Sequence, residues 1–391
     1  MAAMRSYIVG GAVRDDLLGL AVKDRDWVVV GATPEQMVAQ GFRPVGKDFP
    51  VFLHPHTQEE YALARTERKT APGYHGFVFH TAPEVTLEDD LVRRDLTINA
   101  MARAEDGGIV DPYGGLRDLQ DKVFRHVSEA FAEDPVRILR LARFAARFAE
   151  FTVAAPTMAL MRTMVEAGEV DALVPERVWQ ELARGLMERT PSRMLAVLRD
   201  CGALARILPE LGASSDTPRH AQIAGGAHVP GARMAGVIDR AAARELPLPT
   251  RFAALMQALD AEPIQAACKR LRVPSDCRDL AVMTARERDT LANALALPAE
   301  KLVTLFERCD GFRKPERFAQ MLLAAACEAA QPSHAHAYPQ GPYLLRALDA
   351  ARAVNAGEVA ARCADDKAKM PHAVHAARVI AVEAVLDAIR D

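Results

Sequence analysis

The strongest constraint on this chain is a change of texture near residue 126. Before it, short apolar runs alternate with Gly and Pro: YIV (7–9), WVVV (27–30), VFLH (51–54), EYALA (60–64) and GIVDP (108–112). Runs of that length between turn residues read as strands. AVRDDLLG (12–19) and TPEQMVAQG (33–41) read as short helices, the second with Thr33 as N-cap, Pro34 at the first helical position and Gly41 as the stop. After residue 126 the strand signals vanish, and Ala, Leu, Arg and Glu recur at helical spacing over 135–149, 156–167, 175–189, 191–200, 232–245 and 249–260. A chain built this way is an α/β head with a mixed sheet and flanking helices, followed by an all-α remainder. The Gly-, Ser- and Pro-containing stretch 211–231 interrupts the helices. The expected division is a head over 1–126, a helical neck over 127–212 and a helical body and tail over 213–391.

A length of 391 residues favours two or three domains over one core. The formal net charge of −3 does not announce a nucleic-acid partner, although a local basic face is compatible with it. Cys201, Cys268, Cys277, Cys309, Cys327 and Cys363 form no Cys-x-x-Cys pair, so they read as reduced core residues rather than zinc ligands. The opening MAAMRSYIVGGAVRDD has no basic region followed by a long apolar stretch, and no run reaches about 18 apolar residues. No signal peptide and no membrane span are expected, and the chain reads as cytoplasmic.

KDRDWVVVG (23–31) sets Asp24 and Asp26 one residue apart at the mouth of an apolar strand. On a strand such residues share a face, about 6–7 Å apart. Two carboxylates that close repel, and a cation between them relieves the repulsion. Mg²⁺ suits the pair, because it takes one or two carboxylates together with phosphate oxygens and water. A bare Asp-x-Asp more often pairs with its neighbours, here Lys23 and Arg25. The context shifts that balance. YIVGGAVRDDLLG reads as strand, Gly-Gly turn, then helix, and glycines let backbone N–H groups approach an anion closely. Gly11 and Arg14 are then placed to hold a triphosphate. A phosphate cradle followed by an acid pair is what metal-assisted nucleotidyl transfer requires.

Six motifs in order extend this reading: GGAVRDDLLG, KDRDWVVVG, EEYALARTERK, RRDLTINAMA, DPYGG and EDPVRILRLARFAARF. Together they resemble the tRNA nucleotidyltransferases, the CCA-adding enzymes of the class that also contains bacterial poly(A) polymerases. The resemblance is close over residues 4–210 and continues weakly to the C-terminus. It implies addition or repair of the 3′-terminal CCA of tRNA, using CTP and ATP with Mg²⁺ and no nucleic-acid template. Asp24 and Asp26 are then the catalytic, metal-binding acids, with Glu60 as a possible third. Arg93, Arg94 and Asp95 match the motif that contacts ribose and phosphates, and Arg94 carries the nucleotide contact. The segment 62–77 matches a flexible loop that accompanies the switch from C to A addition, with Arg65, Glu67, Arg68 and Lys69 as its candidates.

Arg137, Arg140, Arg143 and Arg147 fall within an arc of about 120° on a helix that is otherwise apolar. Guanidinium groups in a partly buried stripe need anionic partners, and phosphates are the obvious ones. Asp134-Pro135 alone is an ordinary helix start. The resemblance implies more: Asp134 and Arg137 read the base, and Arg140 and Arg143 touch the nucleotide. Cytosine and adenine both present an amino donor beside a ring-nitrogen acceptor, whereas uracil and guanine reverse the two. An unpaired group in a tight site costs about 1–3 kcal/mol, enough for one pocket to accept CTP and ATP and reject UTP and GTP.

Longer bacterial relatives of this type carry a His-Asp phosphohydrolase domain after the neck. Here Gln257 and Ala258 stand at the matching place, the chain contains no His-Asp dipeptide, and His220 and His228 are isolated. Phosphohydrolase activity is therefore expected to be absent, and the region is expected to be a helical tRNA-binding scaffold. The rival readings are a poly(A) polymerase of the same superfamily and a non-catalytic RNA-binding relative.

Overall fold

The structure is a computed structural model that describes residues 4–45, 51–69, 77–214, 232–329, 338–361 and 367–390; His220, His228 and Cys363 lie outside them. The chain forms two compact units. One comprises Met1–Leu182 with Arg193–Ile207, the other Ala183–Ser192 with Leu208–Asp391.

The first unit is built on strands β1 (Arg5–Val9), β2 (Asp26–Val30), β3 (Arg43–Val45), β4 (Val51–Leu53), β5 (Glu60–Leu63), β8 (Ala102–Arg103) and β9 (Ile109–Val110), with a separate hairpin of β6 (Thr66–Lys69) and β7 (Phe77–His80). The sheet order is β3-β4-β5-β2-β1-β8-β9. β1 runs antiparallel to β2, whereas β2 and β5 are parallel, so the sheet is mixed as the alternation of short strands and helices suggested. Val28 and Val29 point to opposite faces and are both buried, which explains the uninterrupted apolar run of β2. Val28 joins Tyr7, Val9, Leu87 and Leu91 on one face; Val29 joins Met37, Phe52, Tyr61 and Leu63 on the other.

Helices α1 (Gly11–Leu17), α2 (Pro34–Ala39), α3 (Leu87–Val92) and α4 (Gly115–Gln120) flank the sheet. Thr33 caps α2 in a reciprocal box, its hydroxyl accepting from the Gln36 amide while the Gln36 side chain accepts from the Thr33 amide. The DPYGG motif acts locally: both Asp111 carboxylate oxygens accept amides at the start of α4, from Gly115 (2.7 Å) and Leu116 (2.9 Å). Gly115 also lies directly under the segment that follows the paired arginines. A Cβ there would stand 2.3 Å from the Thr97 carbonyl oxygen and 2.8 Å from Met101 Cγ.

Next come α5 (Val136–Arg147), α6 (Ala155–Glu166) and α7 (Pro175–Leu186). In the second unit Leu248–Met256 packs against Ser275–Ala292 and Pro315–Ala329. Cys201, Cys268, Cys277, Cys309 and Cys327 are buried free thiols. Among the described residues no helix is long and apolar enough to cross a membrane.

Because backbone rather than a mobile side chain meets the added carbon, Gly115→Ala should destabilise the first unit by about 2–3 kcal/mol. Thermal unfolding measures this, and an unchanged midpoint would mean that Thr97 is free to shift.

Candidate active site

The acid pair sits where β1 stops. The last rung between β1 and β2 joins Val9 to Asp26, and the next residue of β1, Gly10, leaves the sheet at φ 71°. That departure removes the partner β2 would need to extend further toward its start. Asp24 therefore precedes the strand instead of lying on it, a difference from the expected pairing of both acids along one strand face. Both carboxylates are exposed. Arg25 reaches Glu59 (3.9 Å) rather than either of them, and neither acid has a hydrogen bond or ion pair among the described residues. Glu60 is in register with Asp26 across β2 and β5.

The face of the sheet that Asp26 shares with Val28 also packs Leu87 and Leu91 of α3, and the arginine pair follows that helix. Arg94 donates to Asp90 through Nε (3.3 Å) and Nη2 (3.0 Å). Its Nη1 lies 2.9 Å from the place a Gly10 Cβ would occupy. Only glycine allows both that approach and the positive φ. Arg14 lies beneath the same turn, with Nη2 3.4 Å from the position of a Gly11 Cβ. It is buried: Nε and Nη2 donate to Asp15, Nη1 donates to Asn99 (2.5 Å), and the guanidinium stacks over Phe144 and Phe148. Burial pushes the Arg14 pKa down, and the Asp15 carboxylate offsets this.

The arginine stripe of α5 finds its acceptors within the chain. Arg140 donates to Asp95 (2.9 Å), Arg143 to Glu181 (2.6 Å) and Arg147 to Asp15 (2.9 Å). Arg137 is buried and donates to the carbonyls of Ala130 (2.9 Å) and Arg93 (2.6 Å). Carboxylates and carbonyls of neighbouring segments thus meet the stripe's need for acceptors within the chain. Asp134, just ahead of α5, accepts from the Val136 amide (3.1 Å) and receives a two-pronged contact from Arg177 (2.9 and 3.3 Å).

Sequence reasoning missed Asp90, Asn99, Arg177 and Glu181. Arg177 and Glu181 are four apart in PERVWQEL, so both face one side of α7. That spacing was the available signal. Of the loop candidates, Arg65 is described, with its carbonyl accepting from Arg93 Nε (3.2 Å). The side chains of Glu67, Arg68 and Lys69 and all of residues 70–76 lie outside the described residues.

Burial by itself raises the Asp95 pKa; the Arg140 charge, with hydrogen bonds from Asn99 and Arg140, overrides it and holds the carboxyl at about 2. A pKa below the ordinary carboxylate value stabilises the fold above about pH 4, and that stability is lost as pH falls toward 2. Asp95→Asn should therefore flatten the acid limb of stability by roughly 2 kcal/mol. Denaturant midpoints from pH 6 to pH 2 test this, and parallel losses in the two proteins would contradict it.

Two family models match the chain: the poly A polymerase head domain over residues 6–125, and the probable RNA and SrmB-binding site of polymerase A over 150–214. A Bacillus stearothermophilus CCA-adding enzyme solved in complex with CTP is 24% identical with a TM-score of 0.67, the match covering 98% of this chain and 89% of that one. A Thermotoga maritima CCA-adding enzyme complexed with tRNA is 21% identical, also with a TM-score of 0.67, covering 99% and 92%. At these identities the likeness establishes the fold. The multifunctional CCA protein of Herminiimonas arsenicoxydans is 59% identical over 416 positions, covering 99% of both chains, and that of Janthinobacterium sp. is 60% identical over 417, covering 98% of each. With relatives this similar along nearly its whole length, and a head that carries the acid pair beside the glycine turn, the chain belongs to the multifunctional CCA protein family.

Proposed function

We propose that this chain builds or repairs the 3′-terminal CCA of tRNA, transferring CMP from CTP and AMP from ATP without a nucleic-acid template. The observation that carries the reading is the β1–β2 end. Two exposed carboxylates, without a partner among the described residues, stand beside a glycine turn against which Arg94 Nη1 rests. The curated relatives named as CCA proteins support the reaction class.

Nucleotidyltransferases of this family use a divalent metal, and we assign Mg²⁺. The donor set fits it: Asp24 and Asp26 are hard oxygen ligands, and among the described residues no group of three or more His, Cys, Asp or Glu side chains is arranged to enclose an ion. A site with two protein carboxylates leaves its remaining positions to phosphate oxygens and water, which is how Mg²⁺ is ordinarily held. When bound, the ion would acidify the attacking hydroxyl and offset charge on the departing pyrophosphate.

The chain's own residues supply position. Gly10 and Gly11 let backbone and guanidinium groups crowd the phosphates, with Arg94 at the turn and Arg14 beneath it. The tRNA 3′-oxygen forms a bond to the α-phosphorus as the bond from that phosphorus to the β-phosphate oxygen breaks, so pyrophosphate leaves and no covalent enzyme intermediate forms. Asp134 and Arg137 are the assigned base readers, with Arg177 orienting the Asp134 carboxylate; Arg140 and Arg143 complete the nucleotide pocket. In the second unit an open groove of about 650 Å³ is lined by Lys269, Arg272 and Arg278 together with Asp279, which pairs with Arg278 (2.8 Å). It supports a role for the helical region as a scaffold for the tRNA backbone. A cytoplasmic location follows from tRNA as the substrate.

We also assign no phosphohydrolase activity. Gln257 is buried, and its amide donates to the carbonyls of Ala254 (3.1 Å) and Ala324 (3.3 Å), the chemistry of a packing residue.

The direct test is incubation with tRNA lacking its last three nucleotides, Mg²⁺ and each NTP. Incorporation should stop at C-C-A; long A tails would show a poly(A) polymerase instead. Asp26→Ala should reduce incorporation by at least about 10³-fold while tRNA affinity changes only a few-fold, and persistent incorporation would remove the acid pair from the chemistry. Purified protein with added divalent metals should leave 2′,3′-cyclic phosphates intact, and metal-dependent hydrolysis would overturn the assignment made from Gln257.

A further inference from the structure

One buried carboxylate in the first unit has no role in the mechanism so far. Asp90, in the last turn of α3, is 1% exposed, yet it receives two guanidinium groups. Oδ1 accepts from Arg93 through Nη2 (2.5 Å) and Nε (3.2 Å); Oδ2 accepts from Arg94 through Nη2 (3.0 Å) and Nε (3.3 Å). Oδ1 also makes a longer contact of 3.5 Å with the Arg65 amide. A carboxylate with both oxygens engaged by charged forks holds them more firmly than any neutral acceptor does.

The contacts of those two arginines lead to different places. Arg94 extends from Asp90 to the glycine turn, where among the described residues its Nη1 has no hydrogen bond. Arg93 turns the other way, with Nε donating to the Arg65 carbonyl (3.2 Å), and residue 65 immediately precedes the β6–β7 hairpin. The Arg93 carbonyl in turn accepts from Arg137 (2.6 Å). Asp90 thus touches both the side chain at the phosphate turn and the base of the hairpin.

We propose that Asp90 is a positioning residue that aims Arg94 at the triphosphate and fastens the foot of the β6–β7 hairpin to the same point. The proposal rests on the nucleotidyltransferase reading above. Its physical basis is geometric: a side chain as long as arginine samples many rotamers, and the split carboxylate removes that freedom before substrate arrives. The charge of Arg94, followed by that of Arg93, keeps the carboxyl below its ordinary range against the effect of burial. An amide of the same shape would offer one acceptor and turn a donor toward the second guanidinium.

Asp90→Asn should raise KM for CTP and ATP roughly tenfold while KM for tRNA stays within about twofold. In an Arg94→Ala background the same change should add less than about threefold, because its effect runs through Arg94. A purely packing role would instead give the full effect in both backgrounds and would raise both KM values together; either result overturns the proposal. Should Asp90→Asn not fold, wild-type protein gives an independent answer by hydrogen exchange. CTP should slow exchange in peptides covering residues 64–69, and unchanged exchange there with CTP bound overturns the coupling. Failure of wild type to add C and A to truncated tRNA would remove the underlying function. An active wild type whose nucleotide KM is indifferent to Asp90→Asn would remove this inference alone.

Discussion

Four arginines on one face of a largely buried helix set the terms for the rest of the first unit. A buried guanidinium without an acceptor is among the costliest features a fold can carry. The carboxylates that answer this helix come from separate parts of the chain: Asp15 from α1, Asp95 from the segment after the arginine pair, Glu181 from α7. Phe144 and Phe148 lie under the guanidinium planes and add cation–π contact on the apolar side. Each pair fixes a segment next to the glycine turn, the arginine pair or the start of α5, so the electrostatic needs of α5 and the geometry around that turn are met by the same contacts.

The sheet end solves a different problem. A nucleotide needs dense positive charge around its phosphates and concentrated negative charge for metal, and groups of opposite sign pair with each other unless the structure keeps them apart. β1 ends in glycines and β2 begins with an acid, and their antiparallel register puts both at one edge. Exposure keeps the Asp24 and Asp26 carboxylates solvated, while the nearby arginines are partly buried and held by Asp90. Separation of the two charge types by burial, rather than by long distance, keeps them from pairing with each other.

In the second unit, buried polar side chains at the centre of the helical packing find partners in the chain itself. Gln257 binds two backbone carbonyls, and its own carbonyl accepts from Arg288 (3.1 Å). Glu287, also buried, is paired with Arg308. These two buried side chains are engaged with the chain itself, which offsets the cost of burying them.

Periodicity sufficed for the class of fold, because strand and helix patterns depend on neighbours two to four residues apart. The helices expected over 135–149, 156–167, 175–189 and 191–200 match Val136–Arg147, Ala155–Glu166, Pro175–Leu186 and Pro191–Asp200 within a few residues. The two-residue strands at Ala102–Arg103 and Val123–Phe124 left no period to read, and α3 was missed because three of its six residues are acids and it is too short for its apolar pair, Leu87 and Leu91, to repeat as a stripe. At the site, the glycine turn, the acid pair and the arginine stripe were all visible in the order of residues. Tertiary structure alone decided their partners. Asp90 for Arg94, Glu181 for Arg143 and Arg177 for Asp134 are contacts between charges that any of several neighbours would satisfy, and only the packed backbone selects which one comes within hydrogen-bonding reach.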